Sequence, residues 1–302
     1  MRVGLITLGC DKNTVDNEYL AGLLEDRGCE VVFVEHDDLE AACEAVVITT
    51  CGFVGDAKAQ SVEAIVEWAD RKRETGRPGR VFVAGCLAQR YADDLLKEVP
   101  GIDGIVGVGQ FRQLAEMILA GHSATPRHVR DVPTVEIEQF MRRKRANGTP
   151  HAFLKVSDGC NHGCTFCSIP LMKGRHKSVP MPVLLEEARS LIDQGVRELV
   201  LVAQDLSSYG RDLGSGYRLP ELLREICALD GDFWVRCMYV YPAGVTDEFL
   251  DALAEEPKIV PYLDVPLQHL DVNVLRRMNR PSKDVNTVKL VEKLRERVPG
   301  IA

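Results

Sequence analysis

Short, continuous runs of Val and Ile alternate with amphipathic segments over the first 120 residues. The runs Val3 to Leu8, Glu30 to Val34, Ala45 to Thr50, Arg80 to Ala84 and Ile102 to Val106 lack the in-out alternation of a half-exposed strand. They predict strands buried on both faces. Between the first two, Asn13 to Arg27 opens with polar residues, carries Leu20, Leu23 and Leu24 on one face and meets Gly28, which predicts a helix and its stop. Strand and helix in regular alternation imply an α/β fold, here an open parallel sheet with helices on its faces.

The pattern breaks over 121–150, where Pro126, Pro133 and Pro150 stand among scattered charges and the basic run Arg142-Arg143-Lys144-Arg145. This segment reads as the connection between domain 1–120 and a second domain 151–302. The basic run reads as a solvated linker surface, with a nucleic-acid contact as the alternative. From His151 the alternation resumes. Strands are expected at Phe153 to Val156, Glu198 to Ala203, Trp234 to Val240 and Tyr262 to Pro266, and helices near Pro182 to Gln194, Pro220 to Ala228, Thr246 to Ala254 and Lys283 to Arg297. Repeated βα units of this kind build an open or closed parallel barrel whose working edge lies at the carboxyl ends of its strands.

A chain of 302 residues fits two domains at roughly 150 residues each. With 45% hydrophobic and 27% charged residues it has the make-up of a globular protein, and a net charge of -8 argues against a surface built mainly to coat nucleic acid. No stretch approaches the roughly 18 apolar residues of a membrane span. The apolar start runs into Asp11-Lys12 too soon for a secretory signal, which places the chain in the cytoplasm. Its ten cysteines are then expected as reduced thiols rather than a disulfide framework.

Three of them, in Cys160-Asn161-His162-Gly163-Cys164-Thr165-Phe166-Cys167, crowd a short loop just after the first strand of the second domain. Thiolates bunched in this way can reach one soft metal centre, either zinc or an iron–sulfur cluster. A structural zinc site wants four protein ligands, and no second Cys or His pair stands at finger-like spacing. Three ligands on a four-iron cluster would leave one iron open for a reactant. His162 lies inside the loop and is not expected to join the same centre. A second set appears once the strands are drawn, because Cys10, Cys51 and Cys86 each follow a predicted strand end and could meet on one edge of a parallel sheet. The adjoining Gly9, Gly52 and Gly85 would let backbone approach a bulky inorganic centre. The alternative is that these three are buried small hydrophobes, which is also the expectation for Cys29, Cys43, Cys227 and Cys237.

With both sets in view, the chain resembles the methylthiotransferase family of radical S-adenosylmethionine (SAM) enzymes, in its ribosomal-protein (RimO-type) branch. The resemblance is carried by Leu8-Gly9-Cys10-Asp11-Lys12-Asn13, Thr50-Cys51-Gly52-Phe53, Gly85-Cys86-Leu87-Ala88, the Cys160 to Pro170 loop, Ala203-Gln204-Asp205, Tyr239-Val240-Tyr241-Pro242 and Asp264-Val265-Pro266-Leu267-Gln268-His269. Ala203-Gln204-Asp205 and Cys51-Gly52 separate it from the tRNA branch, where Gly-Gln-Asn and Cys-Ser are expected.

The resemblance implies an N-terminal methylthiotransferase domain and a radical SAM (β/α) barrel. It implies a 4Fe-4S cluster on Cys160, Cys164 and Cys167 that binds SAM, and a second 4Fe-4S cluster on Cys10, Cys51 and Cys86 that carries the sulfur. Gln204 and Asp205, then Gln268 and His269, are the implied SAM contacts, with His269 not a metal ligand. The implied reaction is methylthiolation of the β-carbon of an aspartate in the small-subunit ribosomal protein S-twelve, with flavodoxin or ferredoxin as electron donor and no membrane partner. The family pattern leads one to expect six βα units followed by a small β-barrel (TRAM) domain. Four barrel strands are readable before Ala302, so the core reads as incomplete and the terminal domain as absent. Lys173 and Val179 stand where arginines are expected. Two rival readings are a tRNA adenosine methylthiotransferase, supported by the basic run, and a non-catalytic iron–sulfur or electron-transfer protein.

Overall fold

The computed structural model describes residues 1–38, 41–120, 127–129, 142–146, 148–214, 216–280 and 286–302. These fall into two compact units, one holding the described residues up to 129 with 142–148 and 171–174, the other 149–170 and 175–302. Among the described residues no helix is long and apolar enough to cross a membrane.

In chain order the first unit contains β1 (Arg2–Thr7), α1 (Asp11–Glu25), β2 (Glu30–Phe33), β3 (Ala45–Thr50), α2 (Gly55–Thr75), β4 (Arg80–Gly85), α3 (Cys86–Glu98), β5 (Gly104–Val106), α4 (Phe111–Ala120) and β6 (Arg127–His128). Its six strands form one sheet in the order β2-β1-β3-β4-β5-β6, every pair parallel. The unbroken Val/Ile runs follow from this, since all six positions of β3 are buried between helical layers. Ile6, Val46, Ile48, Val81 and Val83 pack with Ile65 and Trp68 of α2 and Leu87 and Leu95 of α3. On α1, Tyr19 meets Phe111 of α4, ring centroids 5.8 Å apart. The chain moves one way from β1 to β2 and the other way from β3 onward, so the order reverses at the carboxyl ends of β1 and β3. That reversal opens the crevice in which ligands of open α/β sheets bind.

Helix α1 starts two residues earlier than its polar opening suggests, because the extended Cys10 already presents its carbonyl to the N–H groups of Asn13 and Thr14, at 2.8 and 3.3 Å. The basic run is not a solvated surface. Arg142 reaches Asp26 and Glu25, Arg143 pairs with Glu18 with both side chains buried, and Lys144 bonds Glu25 and the Val31 carbonyl at 2.6 Å each. Arg143 also stacks over the Tyr19 ring, 5.4 Å from its centroid. The segment is thus a strap bound to α1, and a charge pattern alone could not distinguish that from a wet surface because the acidic partners lie over 110 residues away. Gly22 makes room for it, since a Cβ there would fall 2.0 Å from the Arg142 carbonyl oxygen.

The second unit contains β7 (His151–Lys155), β8 (Ser157–Asp158), α5 (Ile169–Lys173, whose last three residues belong to the first unit), β9 (Lys177–Ser178), α6 (Met181–Asp193), β10 (Glu198–Val202), α7 (Leu219–Cys227), β11 (Trp234–Cys237), α8 (Asp247–Glu255), β12 (Ile259–Leu263), α9 (Val272–Arg277) and α10 (Thr287–Arg297). Strands β7, β10, β11 and β12 line up in sequence order, all parallel, as successive βα units of a barrel wall do. The antiparallel pair β8–β9 is too short and polar to leave a sequence signal.

Two strands differ from expectation. β11 ends at Cys237 rather than Val240, because Tyr239 turns to φ +64 and its N–H donates to the Asp264 carboxylate. β12 begins at Ile259 rather than Tyr262 and includes Pro261. A strand tolerates proline at the edge of a sheet, and β12 is the last strand in the order, its outer side exchanging bonds of 3.0 Å with Ala302. The start of the last expected helix, 283–285, lies outside the described residues, and α10 begins at Thr287. Cys29, Cys43, Cys227 and Cys237 are all buried.

Two outcomes follow for the first unit. Glu18→Ala leaves the Arg143 guanidinium buried without its partner and is expected to destabilise the fold by about 3 kcal/mol, whereas Asp26→Ala, at an exposed pair, costs less than about 1 kcal/mol. Urea denaturation midpoints of the two variants check this. Gly22→Ala should lower the midpoint although alanine is the better helix former, and a raised midpoint would contradict the packing of the strap on α1.

Candidate functional site

In the first unit the parallel register aligns Thr7 with Thr49 and Thr50 with Gly85, so the ends of β1, β3 and β4 lie side by side. Cys10 follows β1 and caps α1, Cys51 follows β3, and Cys86 opens α3 directly after β4. The three segments are in contact. A Cβ on Gly9 (φ +98) would stand 2.8 Å from the Cys51 Cβ, and one on Gly52 2.8 Å from the Cys86 carbonyl. These glycines are therefore required by backbone packed against backbone. All three cysteines are free thiols, Cys10 exposed, Cys51 half-buried and Cys86 buried.

Buried polar side chains tie the three ends together. Asn13 donates to the carbonyls of Leu8 (2.7 Å) and Thr50 (3.2 Å), joining β1 to β3. The Thr50 hydroxyl donates to the Ala84 carbonyl at 2.6 Å, joining β3 to β4, and Asn17 bonds Thr7 and Thr49. Sequence reasoning missed this clamp. Its only signal was Asn13 and Asn17, four residues apart on the helix that follows Cys10.

In the second unit Cys160, Cys164 and Cys167 lie on a loop without regular secondary structure, all free and half-buried. Remote segments impose its shape. At the entry, Lys155 pairs with Asp158 at 3.3 Å, both buried, and Asp158 accepts the Gly159 N–H at 3.0 Å. Asn161 accepts the His176 N–H at 3.1 Å. His162 is held by two neighbours: its Nε2 is 2.7 Å from the Asp205 carboxylate, and its ring stacks on Tyr241 at 3.6 Å and 9°. From the end of α9, Asn279 donates to the Gly163 carbonyl at 2.7 Å and the Met278 carbonyl accepts the Thr165 N–H at 3.2 Å. A Cβ on Gly163 would fall 2.9 Å from Asn279 Nδ2 and would make that side chain shift.

Electrostatics separate the cysteines from their support. Burial pushes the Cys160 thiol up to about 11, with Asp205 and the other two thiols adding to the rise. Burial also acts to raise Asp205, but hydrogen bonds from His162, Ser207 and Ser208 outweigh it and hold the carboxyl at about 2. Asp205 is thus an ionised, fully engaged carboxylate that fixes the loop through His162. Gln204, beside it just after β10, is half-buried, and its Oε1 is enclosed without a partner among the described residues. Gln268 (φ +71) and His269 are exposed beyond β12, where His269 Nδ1 accepts the Asp271 N–H. Val179 is buried, and Lys173, also buried, lies 3.5 Å from Asp16.

Among the described residues no three His, Cys, Asp or Glu side chains converge tightly enough for a single metal ion. A four-iron cluster makes a different demand, because each thiolate binds its own iron and the sulfurs stand apart around the cluster. Each unit offers three free thiols, half-buried in the second unit and ranging from exposed Cys10 to buried Cys86 in the first. The donor set, three soft thiolates, fits such a group.

Residues 2–107 match the model of UPF0004, an uncharacterised protein family, and residues 154–301 that of the radical SAM superfamily. The ribosomal protein uS12 methylthiotransferase RimO of Lachnoclostridium phytofermentans is 42% identical over 304 residues, covering 100% of this chain and 67% of the relative. The protein of the same name from Moorella thermoacetica is 43% identical, again over 100% and 67%, and that from Symbiobacterium thermophilum 42% identical, over 100% and 61%. The chain therefore spans about two thirds of the length of these relatives. Among solved structures, the radical SAM methyltransferase TsrM of Kitasatospora setae, in a form with cobalamin and a [4Fe-4S] cluster bound, superposes with a TM-score of 0.67 at 16% identity, over 98% of this chain and 64% of that one. At that identity the likeness is one of fold. By its two matched regions and its full-length identity to these relatives, the chain belongs to the RimO-type methylthiotransferase family of radical SAM proteins.

Proposed function

We propose that this chain carries the cluster-binding and radical-generating part of an enzyme that places a methylthio group on the β-carbon of an aspartate in ribosomal protein uS12. The observation that carries this reading is the pair of three-cysteine sets, each at the carboxyl edge of a parallel sheet, in a chain over 40% identical to proteins of that name.

In this reading Cys160, Cys164 and Cys167 hold a 4Fe-4S cluster with one iron left to SAM, and Cys10, Cys51 and Cys86 hold a second with one iron left to sulfur. When bound, the first cluster and SAM would supply the radical chemistry that removes the substrate hydrogen, the second cluster would supply the sulfur, and a second SAM would supply its methyl group. The protein's own work is positioning and exclusion of water. Asp205 and His162 hold the first loop, and Asn13 and Thr50 hold the second set of strand ends. Gln204 offers an enclosed acceptor to a donor group of SAM, while Gln268 and His269 meet it from the segment after β12. Asp205 acts on the loop rather than on SAM, because both of its oxygens are already engaged.

Uptake of one electron at a time calls for a low-potential carrier such as flavodoxin or ferredoxin, and a ribosomal substrate calls for the cytoplasm. The tRNA reading loses its one independent support, because Arg142, Arg143 and Lys144 are bound to α1 and Arg145 is engaged as well.

The test is anaerobic incubation of the reconstituted protein with SAM, dithionite and either uS12 or tRNA, followed by mass spectrometry. Expected products are 5'-deoxyadenosine and uS12 carrying a methylthio group in place of one hydrogen. Modification of tRNA alone would reassign the substrate, and a fully loaded protein that yields no 5'-deoxyadenosine would leave a cluster carrier without radical chemistry.

A further inference from the structure

Arg280 is a half-buried cation beside the second-unit cysteines, hydrogen-bonded to the Tyr241 side chain and with further donors open. After α9 the backbone passes through Asn279 at φ +52, and the Arg280 N–H closes the turn on the Leu275 carbonyl at 2.8 Å. The guanidinium carbon lies 4.5 Å from the centroid of the Tyr241 ring and 5.8 Å from that of Phe166. Phe166 is the residue before Cys167, so the two rings hold the charge against the cysteine loop. Arg280 Nε and Nη1 are both enclosed and, among the described residues, have no hydrogen-bond partner. A guanidinium held this way is costly unless an acceptor, best an anionic one, takes the free N–H groups.

We propose that Arg280 is the charge-compensating residue of the cluster at Cys160, Cys164 and Cys167, its free Nε–H and Nη1–H donating to anionic sulfur on the Cys167 side. The proposal rests on the cluster reading above and adds a role that the cysteine spacing does not contain. Reduction adds one electron and no proton, so the cluster with its three thiolates becomes one charge more negative. A fixed cation that donates to sulfur stabilises the reduced state more than the oxidised state and raises the potential, since net charge and hydrogen bonds to sulfur set it. Arginine presents its two donors in a fixed planar fork, whereas the three donors of lysine rotate about one point at the end of a flexible stem.

The experiment is an EPR-monitored redox titration of the anaerobically reconstituted chain without SAM, with iron and sulfide counted per chain. The signal followed is the one missing from a Cys160, Cys164, Cys167→Ala variant. Wild type, Arg280→Lys and Arg280→Met are compared. Expected are equal iron contents and, at the wild-type midpoint, a roughly tenfold lower ratio of reduced to oxidised cluster in Arg280→Met, about 59 mV for a one-electron couple, with Arg280→Lys in between. Equal midpoints in loaded samples would overturn the proposal and leave the cluster reading intact. Loss of this cluster from both variants would also overturn it, by showing that Arg280 only builds the loop. A wild-type chain with no cluster on these cysteines would remove both.

Discussion

Strands that run parallel must bring their carboxyl ends to the same edge, so residues far apart in sequence become neighbours there without any contact made for the purpose. Cys10, Cys51 and Cys86 depend on that constraint. They are separated by 41 and 35 positions, yet the register of β1, β3 and β4 leaves their backbones in contact. The reversal of strand order between β1 and β3 adds a crevice at the same place. In the second unit the same edge gathers the cysteine loop, Gln204 and Asp205 after β10, and Tyr239 to Tyr241 after β11.

Irregular backbone at such an edge has to be held, and the two units do it differently. In the first, short polar side chains bridge adjacent strand ends: Asn13 from β1 to β3 and Thr50 from β3 to β4. In the second, the loop is too long for that and is braced from outside, by Asp205 through His162 and by Met278 and Asn279 from beyond α9. Gly9 and Gly52 leave room for the neighbouring segments that carry Cys51 and Cys86.

How much was legible depends on where each signal lies. The buried strands could be read because burial on both faces enforces continuous Val/Ile runs, and the cysteine loop because its three thiols are local in sequence. The second set became visible only through the strands. What escaped rests on contacts that no local pattern records. The basic run reads the same whether wet or bound until α1 supplies Glu18 and Glu25. The reading of β12 as Tyr262 to Pro266 missed its start at Ile259 and ran past its end at Leu263, and Pro261 is tolerated within it because the strand lies at the edge of the sheet. The support from Met278 to Arg280 comes more than 100 residues after the loop it holds, and no local pattern links the two.

Everything about the chemistry stands on two separate clusters, each on three thiolates. Iron and sulfide counting after anaerobic reconstitution, applied to the whole chain and to the two triple variants Cys10, Cys51, Cys86→Ala and Cys160, Cys164, Cys167→Ala, tests this directly. The account predicts about eight irons per chain, falling to about four in either variant. About four irons in the whole chain, unaffected by one variant and abolished by the other, would contradict it.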